Sequence, residues 1–359
     1  MPGRKPQSKR SSPCGMQPHN TRPARLHSQL ARIPGLRLAV RTLRAGWRRL
    51  GCARPRRRRQ EQVAQVWGEA FSRGRGAEAA ASLGWLCWVP VLERYVFPQL
   101  GGRDWYSFAR ERCSGRPLEL GLSLCCGDGL TERYLLQSGV CRAWEGIDIS
   151  PAAIASCRQA AEAAGMSTLR YRVGDLERMK LPRHGYDVVV GWMGLHHLRN
   201  LPRVFREVKR TLRPEGVFIV NEYVGPPRFQ ILPRQVELTN ECLGLLPEDL
   251  RRRPSGEVIR EFVPASAEQV AAFDPSEAVS SHQIMPLLER EFTIVERVDY
   301  GGAILHWALH ETMRNFRPDD AEHMAWLERL FDFERQAMAR GEIGSDFSYV
   351  IARKREGSA

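Results

Sequence analysis

From residue 118 onward, short apolar runs alternate with longer amphipathic stretches. That rhythm predicts strands near 118–124, 143–148, 168–173, 186–191 and 216–222, with helices near 130–138, 151–164 and 200–212 between them. Strands joined through helices must cross over, so the sheet they form is parallel. Ser150-Pro151 reads as a helix N-cap followed by proline in the first turn, where a missing N–H costs nothing. The rhythm breaks over 224–289, which holds a helix-like run around 233–246, an arginine cluster at 251–253 and the Asp274-Pro275 turn. It resumes with an apolar run at 292–298, helical stretches at 303–315 and 319–340, and a last strand-like segment at 346–353. Residues 61–115, rich in aromatic side chains, read as helices ahead of the first strand.

The first strand runs into Cys125-Cys126-Gly127-Asp128-Gly129. Gly127 and Gly129 allow a sharp turn and let backbone lie against a ligand where a side chain would collide. Nineteen residues after Gly129, the second strand ends in Asp148, placed to offer a carboxylate to ribose hydroxyls. This pattern marks a nucleoside cradle at the carboxyl ends of the strands. A dinucleotide fingerprint needs a third glycine, and Glu132 stands there. The Gly-Lys-Ser/Thr of a phosphate-binding loop does not occur.

The apolar strand, the Cys-Gly-x-Gly turn and the Gly146-x-Asp148-x-Ser150 that follows resemble the class I S-adenosylmethionine-dependent methyltransferases. Further pieces fit: Val173-Gly174-Asp175-Leu176, Tyr186–Val190 followed by Leu195-His196-His197-Leu198, and Leu212-Arg213-Pro214-Glu215-Gly216-Val217. The resemblance covers residues 118–223 and 291–353. It implies a Rossmann-like α/β fold with a seven-stranded, mostly parallel sheet whose last strand is antiparallel. It also implies a helical N-terminal cap at 61–115, a core at 116–223 and 290–355, and an inserted lid at 224–289 after strand 5. S-adenosyl-L-methionine is the implied cofactor. One departure stands out, since the family usually has Asp and Gly where this chain has Ser123 and Cys125. Phrases such as Asn221–Gln230 and Tyr300–His306 look like a bacterial subgroup acting on small molecules or sugars.

Charge changes the picture only at one end. The formal net charge of +13 is concentrated before residue 61, where seventeen Lys and Arg meet no acid. The rest of the chain holds 37 of the 54 bases against all 41 acids, a net of −4. Residues 1–60 therefore read as a basic extension, with an amphipathic, arginine-rich helix pattern at 36–50 that suits an anionic surface, nucleic acid or a targeting role. Nine cysteines without a Cys-x-x-Cys pair fit a reduced, cytoplasmic setting and no metal centre. No run of eighteen apolar residues predicts a membrane span.

For the cofactor, the resemblance implies Gly127, Asp128 and Gly129 at the turn, Asp148 on the ribose, and Asp175 with the Leu176 amide on the adenine. His196 and His197 follow the fourth strand, where either could serve as general base, since imidazole titrates near neutral pH. Glu222 shares the same mouth and is a rival. Trp192 and Met193 are expected to shape the pocket, and Arg228, Arg251, Glu277, His282 and His306 could line an acceptor site. The expected activity is methyl transfer to a small-molecule or saccharide acceptor at oxygen. Alternatives are RNA or protein methylation using the basic arm, or a non-catalytic cofactor-binding protein. A nicotinamide oxidoreductase fits least, because the third glycine is missing.

Overall fold

The computed structural model describes residues 61–65, 85–113 and 118–355. The basic extension at 1–60, with its amphipathic pattern, lies outside these residues, as do 66–84 of the helical cap. All that is described belongs to one compact unit.

Seven strands form one sheet: β1 (Leu118–Leu124), β2 (Cys141–Asp148), β3 (Leu169–Val173), β4 (Tyr186–Trp192), β5 (Leu212–Tyr223), β6 (Phe292–Gly301) and β7 (Phe347–Lys354). Their order is β3-β2-β1-β4-β5-β7-β6. The first five run parallel, and β7 lies antiparallel between β5 and β6, as the sequence led us to expect. The chain moves outward from β1 to β3, then returns to place β4 on the other side of β1. The crevice between β1 and β4 is thus the switch point where open α/β sheets bind ligands.

The helices form because their apolar positions recur on one face. Between β4 and β5, α4 (Leu201–Thr211) buries Leu201, Val204, Phe205 and Val208 at helical spacing. Ahead of β1 comes α1 (Trp105–Cys113), and after it α2 (Leu130–Gln137). Next is α3 (Pro151–Ala163), where the Ser150 side chain accepts the Ala153 N–H at 3.2 Å, the cap expected from Ser-Pro. Later come α5 (Pro233–Gly244), α6 (Ala267–Phe273), α7 (Ile284–Glu291), α8 (Leu305–Leu309) and α9 (Ala321–Ala339).

Two apolar clusters cover the two faces of the sheet. One gathers Leu122, Leu124, Ile147, Val189, Phe205 and Phe218, with α7 contributing Ile284 and Leu288. The other holds Trp144, Val188, Val190, Ile219 and Tyr349, and takes in the helical turns at 85–100 and α1. Ser123, lying between Leu122 and Leu124, faces the second cluster by strand alternation. Among the described residues, no helix is long and apolar enough to cross a membrane.

Candidate active site at the strand ends

Strand register brings the candidate residues to one edge. Leu124 pairs with Ile147 on one side and Gly191 on the other, Asp148 pairs with Val173, and Trp192 pairs with Asn221. The turn after β1, Asp148, Gly174–Leu176, the 193–197 turn and Glu222 therefore line a single crevice mouth.

The glycine turn is tightly wound. Cys125, Gly127 and Gly129 have φ of 54°, 55° and 71°, all left-handed. Cys125 takes this conformation without being glycine, a strained choice of the kind that collects at functional sites. A Cβ on Gly194 would fall 2.5 Å from the Cys125 Cβ, so the turns after β1 and β4 touch here. Gly129 is required for a second reason: a Cβ there would lie 2.7 Å from the Tyr171 hydroxyl and 3.0 Å from the Cys157 sulfur.

Asp148 ties the turn to β2. Its Oδ2 accepts the Gly127 N–H at 3.1 Å and its Oδ1 accepts the Ser150 N–H at 2.8 Å. Burial raises its pKa against these two donors. Asp175, after β3, accepts the Glu177 N–H at 3.0 Å and sits 3.3 Å from Arg178. Leu176 buries its side chain in the core, so only its backbone can meet a ligand. Asp128 caps α2, accepting the Leu130 N–H at 3.0 Å.

A second group gathers beyond β4 and β5. The buried Glu222 uses Oε1 to accept the N–H groups of Gly194 and Leu195, each at 2.6 Å. Its Oε2 lies 2.6 Å from His196 Nδ1. A carboxylate so held accepts from Nδ1–H, which leaves Nε2 as the free lone pair. That Nε2 lies 3.5 Å from Glu277 Oε1. Burial pushes His196 toward neutrality, but Glu222, Glu277 and Asp274 outweigh it and hold the pKa above its ordinary value. His197 is lowered instead, by burial and by neighbouring His196. Its Nδ1 lies 3.1 Å from the Ser276 hydroxyl and 3.7 Å from Asp274.

Arg228 explains how this distant loop arrives. Its guanidinium donates to the carbonyls of Asp274 at 3.2 Å, Pro275 at 2.7 Å and Glu277 at 2.9 Å. Arg228 therefore clasps the 274–277 loop, and Glu277 is the acceptor-site candidate that reaches the histidines. His282 is exposed. His306 is buried beside Phe347 and Trp307, and burial with the nearby His310 pushes its pKa down to about 3.

Four contributors were given no role by sequence reasoning. Asp274 and Ser276 stand almost eighty residues from His197, which they meet, and the Asp274-Pro275 turn visible in the sequence carries no sign of that contact. Tyr106 of α1 stacks between Trp192 and Tyr134, at centroid distances of 5.4 and 5.2 Å, and walls the mouth. Glu132, read only as a missing glycine, is a fully buried acid on the first turn of α2. Its spacing of three from buried Leu135 was the available signal.

The sequence comparisons fit this geometry. Residues 122–220 match the family model described as methyltransferase domain. A phthiotriol/phenolphthiotriol dimycocerosates methyltransferase from Mycobacterium leprae is 32% identical over 95 residues, 26% of this chain and 34% of that protein. A fatty-acid O-methyltransferase from Mycolicibacterium smegmatis is 28% identical over 145 residues, 40% of this chain and 48% of that one. A solved geranyl diphosphate methyltransferase, in complex with GPP and sinefungin, is 14% identical with a TM-score of 0.47, covering 82% of this chain and 99% of that chain. The match spans about a third of two phthiotriol methyltransferases, 34% and 36%, and 72% of another that is 26% identical. Motifs, strand order and family match agree that residues 122–220 carry a methyltransferase domain, set in a seven-stranded Rossmann-like sheet.

Proposed function

We propose that the chain transfers a methyl group from S-adenosyl-L-methionine to an oxygen of a small-molecule or saccharide acceptor, with His196 as general base. The observation that supports this reading is the Glu222–His196 pair, which engages Nδ1 and leaves Nε2 facing Glu277. The cofactor supplies a methyl on a sulfonium, ready for in-line displacement.

The residues present fit that cofactor. The left-handed Gly127 and Gly129 leave room for close approach, and Asp148 presents a carboxylate for ribose hydroxyls. Asp175 and the Leu176 backbone suit the adenine. Unpaired N–H groups at the start of α2 suit the cofactor's carboxylate. Asp128, engaged in capping, would act by shaping the turn rather than by direct contact.

An acceptor hydroxyl must lose its proton as it attacks. A donor placed between His196 Nε2 and Glu277 would relieve the meeting of two lone-pair groups there. His196 takes that proton at Nε2, and the resulting imidazolium is stabilised by Glu222 on one nitrogen and Glu277 on the other. General-base assistance of this kind contributes about 10²–10⁴-fold. His197, held by Ser276 and Asp274, positions the loop and keeps the two rings 4.2 Å apart. The segment 224–289, which carries Asp274–Glu277, covers the acceptor side in this reading. Similarity to a fatty-acid O-methyltransferase favours oxygen and extends the acceptor class to lipid-like molecules.

The test is transfer of label from methyl-labelled cofactor to a panel of hydroxyl and carboxyl acceptors, with S-adenosylhomocysteine as the co-product. Turnover that falls at least a hundredfold in His196→Gln, with cofactor affinity unchanged, supports the assignment. Undiminished turnover in that variant removes His196 from the chemistry.

A further inference from the structure

Three glutamates in the described residues have no solvent exposure: Glu132, Glu222 and Glu334. Two of them are fully engaged. Glu222 meets two backbone amides and His196. Glu334 accepts from the Tyr95 hydroxyl at 2.6 Å and from the amides of Gly302, Ile304 and Leu305 at 2.7–3.1 Å. Glu132 differs, since neither of its carboxylate oxygens has a hydrogen-bond partner. A buried polar group left unpaired in this way costs stability and calls for a reason.

Its surroundings say what is missing. Ser123 of β1 lies beside it, a neutral hydroxyl that pulls its pKa down without bringing a positive charge. Asp128 of the glycine turn is a second negative charge nearby. Arg133, the neighbouring cation, donates instead to the Asp128 carbonyl at 3.0 Å. Tyr106 of α1, Tyr171 of β3 and Cys126 of the turn complete the wall, each close enough to feel the charge on Glu132. No group in this wall supplies the positive donor that an ionised carboxylate needs. A cationic ligand beside it would supply one.

We infer that Glu132 is the counter-ion for the α-ammonium of bound S-adenosylmethionine, reaching from α2 across to Ser123, where the strand itself offers no acid. The inference rests on the cofactor reading above. Glu132 stands in the same helical turn whose amides suit the cofactor's carboxylate. In an α-amino acid the ammonium and carboxylate share one carbon, so a group that serves the first must adjoin the site of the second. Of the cofactor's two cations only the ammonium can donate hydrogen bonds, and such charge-assisted bonds are the strong ones. Because Glu132 is fully buried, ligand entry must displace part of its wall. Tyr106 is the member tied neither into a strand nor into the glycine turn.

Paired titrations test this. Calorimetry of the full chain and of Glu132→Gln would use S-adenosylhomocysteine, which carries the ammonium, and methylthioadenosine, which lacks the whole amino-acid portion. The inference predicts that Glu132→Gln weakens S-adenosylhomocysteine about tenfold to a hundredfold and leaves methylthioadenosine within about twofold. Equal losses for both ligands would reduce Glu132 to a structural role, and no loss for either would overturn the inference. The unmutated chain gives an independent readout. Glu132 has a pKa raised by burial to about 7, so it must release a proton on meeting an ammonium. S-adenosylhomocysteine affinity should then rise between pH 6 and 8 while methylthioadenosine affinity stays flat. Parallel pH dependence for the two ligands would contradict it. Should the unmutated chain bind neither ligand, the cofactor reading itself fails, an outcome distinct from all of these.

Discussion

Removing the charge of Glu132, which is fully buried, should stabilise the ligand-free protein at alkaline pH. Burial raises its pKa from an ordinary 4.5 to about 7, more than Ser123 and Arg133 pull it down. The sign follows from proton counting. Between those two values the folded state keeps a proton that the unfolded chain has lost, so stability falls as pH rises through this window and levels off above 7. Integrating the two titrations gives a penalty of about 1 kcal/mol at pH 5 and about 3 kcal/mol at pH 8. The residue has no exposure, so solvent screening does not shrink this difference. In Glu132→Gln the penalty is absent. The amide has its own unpaired groups, but their cost does not vary with pH. Urea unfolding of both proteins at pH 5 and pH 8 isolates the effect. The stability difference should move in favour of the variant by about 2.5 kcal/mol between the two pH values. Other buried acids, such as Asp346 with its pKa raised to about 7, cancel because both proteins contain them. A difference that does not change with pH would refute the picture of an unpaired buried carboxylate.

Gly129→Ala would have to adopt φ near 71° and drive a methyl against the Tyr171 hydroxyl and the Cys157 sulfur. Strain and overpacking together should cost about 2–4 kcal/mol in denaturant unfolding, and a loss below about 1 kcal/mol would show that the turn relaxes. Glu277→Gln removes one of the carboxylates that hold His196 above its ordinary pKa. The acid limb of the pH–rate profile should therefore move to lower pH, because the base stays neutral there, and an unmoved limb would separate Glu277 from the titration that controls turnover.

The fold was legible because each central strand is buried on both sides and reads as a continuous apolar run. The limits of β1 match the expected 118–124. Errors occur where the pattern thins. Strand β2 starts at Cys141, earlier than expected, because exposed Arg142 interrupts its apolar run. Strand β5 starts at Leu212, since Leu212 pairs with Tyr186 before the register shifts. The candidate site was legible where spacing along the chain carries meaning, as between Gly129 and Asp148. It was hidden where partners meet only in three dimensions. Glu222 takes its role from the amides of Gly194 and Leu195, and Glu277 reaches His196 only because Arg228 grips the loop between them. Glu132 was visible as a residue, but its isolation from every donor appears only once the helix is packed on the strand.

Equilibrium binding decides whether the strand ends around Asp148 take S-adenosylmethionine. Titration calorimetry of the purified chain with S-adenosylmethionine, with NADH as control, should give micromolar binding for the first and none for the second. Asp148→Ala, which removes the acceptor of the Gly127 and Ser150 amides and with it the proposed ribose contact, should abolish that binding. Absent binding by the unmutated chain, or binding that survives in Asp148→Ala, would contradict the account.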